Sequence, residues 1–488
     1  MLRPGTLYKL PLAIFFLALG ISSIIYTPTD FLFDMRLRMI RGTPPYTFWA
    51  DPPDNLLAKV YIFNVTNSQQ FLDGTEDFIH LQEIGPIIYR EKFTHTNIVF
   101  NNNSTLTYTV TRTLEYLPER NTIDLNSTIT APNLAVLVMT SYFSDSSFFV
   151  KAGLNILLNK YNCEPFKNMT IYEYLMNATD PVLEPAKSLA PALVPSLNVG
   201  ILKQMYMKNS YNITVLIGPK YGHEDYFNVQ NIDGVESLPS FKRCKPQFNR
   251  TSETTLFPQF MRKDQNINAW KAVLCMAVNG YFTNETRKYG MTGYRYDVTL
   301  DAFNRTQPEY SDCYRGNPAL PNGLSDVSTC YSNYPFAASF PHLMNADPVV
   351  SNRIRGMKPD IAKHGSFLNV EPMSGVPMSG RAIFQVNLIF KRMTGFGRKI
   401  QRFSNMYLPM SYVGYEIEGL PWHIVSLLYF MTVIVPKTQL IMSLILLAVG
   451  TIYLYYFSRD FRTPRVLKES CISTICEEEK FIKIENQT

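Results

Sequence analysis

Two uninterrupted apolar runs, one near each end of the sequence, constrain this chain more than any other feature. Leu10 to Tyr26 (LPLAIFFLALGISSIIY) holds no ionised side chain, and as a helix it approaches the length needed to cross a hydrocarbon core of ~30 Å. Leu440 to Phe457 (LIMSLILLAVGTIYLYYF) is followed by Arg459, Asp460, Arg462 and Arg465, and an apolar run that stops at basic charge is the pattern of a retained span. A cleaved signal peptide is the alternative for the first run, because Arg3 and Lys9 precede it. The TPTDFLFDM after Tyr26 argues against cleavage, since it puts bulky residues where processing needs small ones. The organisation expected is a cytoplasmic N-terminus (1–9), a span (10–26), a large outer domain (27–439), a second span (440–457) and a cytoplasmic tail (458–488).

Orientation has two supports. Arg459, Arg462, Arg465 and Lys468 crowd the end of the second run, which places the tail in the cytosol. Between the runs, Asn64, Asn102, Asn103, Asn126, Asn168, Asn177, Asn212, Asn249, Asn284 and Asn304 all sit in N-x-S/T sequons, the acceptors of N-glycans on secreted surfaces. Asn102 and Asn103 overlap and share one glycan in this reading, and the sequon at Asn486 faces the wrong compartment. Cys163, Cys244, Cys275, Cys313 and Cys330 lie in the outer region, where disulfides persist. Five is an odd number, and Cys163, remote from the others, is the candidate left over. Cys471 and Cys476 fall in the tail, where reduced thiols or S-acylation are the options.

The outer region shows no fixed-period repeat, which points to one continuous fold of mixed texture. Thr105 to Leu117 (TLTYTVTRTLEYL) alternates apolar residues with threonines, the period of a half-buried strand, and Gly293 to Leu300 and Arg381 to Phe390 behave alike. Asn133 to Tyr161 is apolar for most of its length and reads as a helical hairpin broken near Ser144 to Ser147, either a buried core or an exposed cap. The prolines between Asp180 and Pro195 mark an irregular connection. Ile424 to Val435 is too short to span and either lies on the membrane surface, leads a longer helix or belongs to the core.

Catalytic chemistry is hard to find. The chain has no G-x-S-x-G elbow, no H-E-x-x-H, no P-loop and no G-x-G-x-x-G, and its six histidines never fall at ligand spacing. His223 beside Glu224 and Asp225 reads as a solvated turn. No metal, no cofactor and no enzymatic activity are expected, and with a net charge of +6 and no basic block, no nucleic acid. A tethered ectoenzyme or a two-span channel shares this topology but should bring phosphate motifs or a polar pore, and neither is visible. A lipid partner has a physical rationale: a domain held against a bilayer at both ends can spare a fatty chain the cost of water, about 0.8 kcal/mol per methylene.

Several stretches resemble the CD36 scavenger-receptor class B family. These are GTPPYTFWADPP (42–53) with VYIFNVTN (60–67), EIGPIIYR (83–90), FPHLMNADPVV (340–350), and FLNVEPMSGVPMSGRAIFQVN between His364 and Asn387. The resemblance covers nearly the whole outer region. It implies an α+β fold: a β-rich, barrel-like ectodomain pierced by a tunnel, topped by a helical bundle (133–175) and flanked by two transmembrane helices. It also implies pairing of Cys244 with Cys313 and of Cys275 with Cys330. Lys151 and Lys160 fall where basic residues attract anionic ligands in the family, ordinary solvated lysines being the alternative. The reduced cysteine set is closer to insect members. The implied function is a receptor that binds lipids, lipoproteins or anionic phospholipid and passes fatty acid, sterol or carotenoid to the membrane. A phagocytic or pheromone-sensing co-receptor is the variant, and a homo-oligomer stays open. The implied location is the plasma membrane, with an endosomal or lysosomal pool that EEEKFI (477–482) suggests only weakly.

Overall fold

A computed structural model describes residues 8–189, 191, 194, 196–236, 248, 250–304 and 314–462. The chain divides into two compact units, Met1–Leu32 with Val433–Thr488, and Phe33–Thr432.

The first unit is a helix pair. Lys9–Ile25 packs against Val435–Arg462 in antiparallel fashion, since successive contacts run from Lys9 with Asp460 to Ser23 with Ser443. A Cβ at Gly20 would meet the Leu447 side chain, and one at Gly450 would meet Leu17. Small residues at a crossing let the two backbones approach, which is how helices associate where lipid removes the hydrophobic drive. Two polar contacts add to it: the Ser23 and Ser443 hydroxyls lie 2.8 Å apart, and Lys9 Nζ is 2.6 Å from Asp460. Trp422–Arg462 is a helical run long and apolar enough to cross a membrane, and Lys9–Ile25 passes the same test together with Pro28–Leu37, bent by 65° from it.

The second unit is built on a fifteen-stranded, mostly antiparallel sheet. Its order runs from Val229–Ile232 through Ser210–Leu216, Thr105–Tyr116, Ile79–Asn101 and Leu56–Val65 to Tyr407–Ile417. It continues through Val376–Ile389, Phe367–Glu371, Met291–Asp297, Met276–Lys288 and Ile267–Lys271 to Thr251–Ser252. The two ends meet, because Asn228, next to the first strand, bridges Ser252 in the last. That contact brings the sheet round into a nearly closed barrel, as the barrel-like α+β reading anticipates.

In Thr105–Tyr116 the threonines Thr107, Thr109 and Thr111 are half-buried and Thr113 is exposed, while Leu106, Tyr108 and Val110 are buried, so period-2 patterning selects the strand; Thr105 at its start is buried as well. The hairpin forms as Leu134–Tyr142, a 3-10 turn Phe143–Asp145, and Phe148–Lys160. Its arms differ in burial: Leu134 to Ser141 are all buried, whereas Phe148–Lys160 buries only Leu154 and Leu158. The prolines after Asp180 do not exclude a helix. Leu183–Leu189 is helical, with Pro185 in its first turn where a missing N–H costs no hydrogen bond.

The MSG motif is a structural device. Glu371 accepts from Ser374 N (2.7 Å) and closes the turn between Phe367–Glu371 and Val376–Ile389. Gly375 stands at φ +68° with the Phe257 carbonyl against it, leaving no room for a side chain. QVN and FPH lock together likewise: Gln385 accepts from His342 N (2.8 Å) and donates to Asn387, which donates to Ser339 (2.9 Å).

Candidate functional site

Two apolar cavities lie in the Phe33–Thr432 unit. The first, a narrow cleft with about 720 Å³ of empty space that includes open solvent, sits beneath the buried arm of the hairpin, between Leu134, Ala135, Val138 and Met139 on one side and Val199, Met205, Phe336, Val386 and Met410 on the other. Among the described residues, Gln204 is its only amide-bearing neighbour. The second encloses about 2240 Å³ of empty space within the barrel, part of it open to solvent. Strands supply Val110, Ile267, Val278, Tyr296 and Phe384, the segment before the first strand supplies Phe48 and Trp49, and the helix Trp422–Tyr429 supplies Ile424, Leu427 and Leu428, with Met431 just after it.

Tyrosines stand between the two cavities. Tyr331 lines the first, and its hydroxyl donates to the carbonyl of Val273, which lines the second. Tyr206 follows Met205 of the first cavity, and its hydroxyl lies 2.9 Å from Glu91 and 3.1 Å from the Tyr415 hydroxyl, both partners belonging to the second. Glu91 also binds Arg112, with Nε at 2.7 Å. The pair is almost fully buried. Burial opposes the Arg112 charge, but the Glu91 carboxylate holds its pKa well above the ordinary value. Burial and then Glu91 push the Tyr415 hydroxyl up to about 12, so it stays protonated.

The barrel cavity carries ionisable groups that the hairpin cavity does not. Arg36, Glu91, Arg112, Glu253, Lys271 and Arg381 reach its wall. Burial pushes the Glu253 carboxyl up to about 8 and Lys271 down to about 8. Nothing in the sequence marked them, because they come from separate segments and each looks ordinary among its neighbours.

A third cluster unites Glu83 of the EIGPIIYR motif with His342 of FPH and with His364, all within 4.8 Å. His342 Nε2 meets the Glu83 carboxylate, which also accepts from the Tyr412 hydroxyl (2.8 Å). His342 Nδ1 accepts from Lys358 N (3.1 Å) and His364 Nδ1 from Asp360 N (3.0 Å). Each neutral ring therefore carries its proton on Nε2, the nitrogen that would have to be bare to bind a metal. The donor set fits a proton-bridged tether between motifs rather than a metal centre. Burial lowers the His364 pKa to about 4, with His342 beside it adding to the shift, so His364 stays neutral down to acidic pH.

Lys151 and Lys160 are not brought together. Nine residues of helix is about two and a half turns, so they leave opposite sides of Phe148–Lys160. Lys151 Nζ donates to the Thr394 carbonyl (3.1 Å), and Asn155, Lys391–Asp145 and Lys399–Glu164 stitch the same hairpin to the 391–399 segment. Lys160 lies over the Tyr161 ring. The conspicuous feature of this arm is instead apolar: Phe148, Phe149 and Ile156 are 72%, 84% and 70% exposed, with Phe149 and Ile156 on one face.

Cys275 and Cys330 form a disulfide, Cα to Cα 6.0 Å. Cys163 is a free thiol that donates to Asp180 (3.3 Å), and burial with that carboxylate pushes its pKa up to about 12. Cys244, Cys313, Cys471, Cys476 and Asn249 lie outside the described residues. Of the other sequon asparagines, Asn102, Asn103, Asn126, Asn168, Asn177, Asn212 and Asn284 are exposed; Asn64 and Asn304 are half-buried, with side-chain oxygens accepting from Thr130 N and Gly323 N.

The motifs thus build the barrel and its cavity walls, and comparison with known proteins extends the match to the whole chain. The CD36 family model matches residues 11–459. The chain belongs to the CD36 family. Among relatives, bovine scavenger receptor class B member 1 is 24% identical over 450 residues, 91% of this chain and 86% of that protein. Rat lysosome membrane protein 2 is 26% identical over 401 residues, 80% of this chain and 81% of that one. The mouse scavenger receptor class B member 1 is 27% identical over 399 residues. In this chain, the stretch after Asn133 carries both the exposed apolar helix and the first cavity beneath it.

Proposed function

We propose that this CD36-family chain is a class B scavenger receptor that captures lipid or lipoprotein at the hairpin and carries lipid through its outer domain to the membrane. One observation carries the reading. The barrel cavity, far larger than a buried core tolerates empty, is walled by aromatic and aliphatic side chains and includes Leu427, Leu428 and Met431, a few residues along the chain from Leu440 where the span-length apolar run begins. Ligand sites are concave and apolar with few polar groups, as both cavities are. The exposed Phe148, Phe149 and Ile156 supply a greasy landing face, and Tyr206, Tyr331 and Tyr415 supply the narrowing between the cavities. The exposed sequons carry the glycans of an extracytoplasmic surface. Names of relatives include both a scavenger receptor and a lysosome membrane protein, and we place this chain at the plasma membrane with an endosomal or lysosomal pool.

The test is saturable binding of a fluorescent fatty acid and of a sterol analogue to the purified full-length protein in detergent, repeated with Ala269→Trp, which fills the barrel cavity. Binding at micromolar ligand that the substitution removes supports the reading. No saturable binding of either ligand defeats it.

A further inference from the structure

We propose that Lys271 anchors an anionic lipid head group, the carboxylate of a free fatty acid, inside the barrel cavity. This rests on reading that cavity as a lipid site and adds the head-group chemistry that it selects.

Partner accounting in the cavity wall singles this residue out. Arg36 donates to the Ser374 carbonyl, Arg112 pairs with Glu91, Arg381 donates to the carbonyls of Gly365 (3.0 Å) and Ala362 (2.7 Å), and Glu253 accepts from Thr255. Lys271 alone among these wall groups has no hydrogen bond from its ammonium and no ion pair among the described residues. It retains some accessible surface although protein surrounds it, as a group facing an internal cavity does.

An ammonium in apolar surroundings is costly unless an anion joins it. Glu253, another carboxyl on the cavity wall, is held mostly uncharged at pH 7, because burial pushes its pKa up to about 8. Lys271, pushed down to about 8 by the same burial, is still mostly protonated at pH 7. The Glu91 charge is already matched by Arg112. Lys271 is therefore the wall cation that no carbonyl or carboxylate engages among the described residues, and a lipid carboxylate brings it a partner together with a tail that the apolar walls accept.

The position is also rigid. Lys271 ends the strand Ile267–Lys271, opposite Met276, and its carbonyl accepts from Leu274 N (2.9 Å) in the tight turn between them. The Cys275–Cys330 disulfide and the Tyr314 hydroxyl on the Cys275 carbonyl (2.9 Å) brace that turn. An anchor fixed before the ligand arrives loses little entropy on binding.

A phosphate monoester shares the chemistry, and the test separates the two. Equilibrium binding to the purified full-length protein at pH 7 compares oleate, methyl oleate and 1-oleoyl lysophosphatidate, with Lys271→Met and Lys271→Arg alongside. Wild type is expected to prefer oleate over methyl oleate by about tenfold or more, the scale of a charge-assisted contact. Lys271→Met loses that preference while methyl oleate binds as before, and Lys271→Arg keeps it. Equal affinity of wild type for oleate and methyl oleate overturns the anchor without needing any variant to fold, and so does undiminished oleate preference in Lys271→Met. Tighter, Lys271-dependent lysophosphatidate binding supports the anchor with phosphate as its head group. Failure of wild type to bind oleate and methyl oleate alike is the distinct result that removes the lipid-site reading itself.

Discussion

The two cavities of the Phe33–Thr432 unit share aromatic and aliphatic walls but differ in what else they contain. Under the hairpin, Gln204 is the sole amide among the described residues, donating to the Asn198 carbonyl at 2.6 Å. In the barrel, ionised groups from several strands share the apolar wall, and the Arg112–Glu91 pair is buried outright. A surface without charge accepts any greasy chain, whereas one with fixed charge can discriminate among head groups. On the proposed reading, the hairpin cavity serves admission and the barrel cavity selection.

Breaking the charged side should do the most damage. Arg112→Met leaves Glu91 buried without a counter-ion, and a loss of about 3–5 kcal/mol is expected, read as a large fall in the thermal midpoint. The matching change in the other cavity, Gln204→Leu, strands one carbonyl acceptor and should cost only about 1 kcal/mol. Comparable losses would erase the distinction.

A pH series sharpens it next. Glu253 has its folded pKa raised to about 8 from an ordinary 4.5, so the folded state holds the proton more tightly than the unfolded state does. Its penalty is absent below about pH 4.5 and grows as pH rises to about 8, so stability falls across that window. Glu253→Gln should remove this slope, leaving the variant more stable than wild type at pH 8 by on the order of a few kcal/mol. Parallel curves for the two proteins would show that the carboxyl is not buried in solution.

Filling each cavity separates capacity from admission. Ala269→Trp should abolish saturable oleate binding, whereas Val138→Trp should slow uptake several-fold and leave the equilibrium affinity near wild type; each variant's midpoint would be checked, since overpacking costs about 1–3 kcal/mol. Stopped-flow uptake with equilibrium titration distinguishes the two. The smallest effect belongs to Lys151→Ala. Its ammonium is engaged with the Thr394 carbonyl, so lipoprotein capture should change less than about twofold, the scale of a surface contact. Phe149→Asp should weaken capture far more.

What the sequence revealed follows the range of the interactions involved. The two apolar helices, the strand Thr105–Tyr116 and the hairpin break near Ser144 are set by near-neighbour periodicity, and all were legible as local structure. The family motifs were legible as strings, but their work was not: Glu83, His342 and His364 meet only after three segments fold, and nothing in their spacing forecast it. Lys271 was invisible for the same reason, standing in INAWKAV like any strand-end lysine. The prolines around Leu183–Leu189 misled by hiding a helix that starts close enough to Pro185 to accommodate it. Attention to the Lys151 charge passed over Phe148 and Phe149 beside it, although adjacent phenylalanines at a helix start were in plain view.

The bridge from Asn228 to Ser252 joins the first strand of the sheet to the last. Margins that touch at a single bridge leave a weak seam there, whereas parting any of the long strand pairs elsewhere in the wall would break many backbone hydrogen bonds together. On the proposed lipid-carrier reading, passage between the cavities falls to rotation of single side chains, and the Tyr206 and Tyr331 rings are the doors that would have to swing.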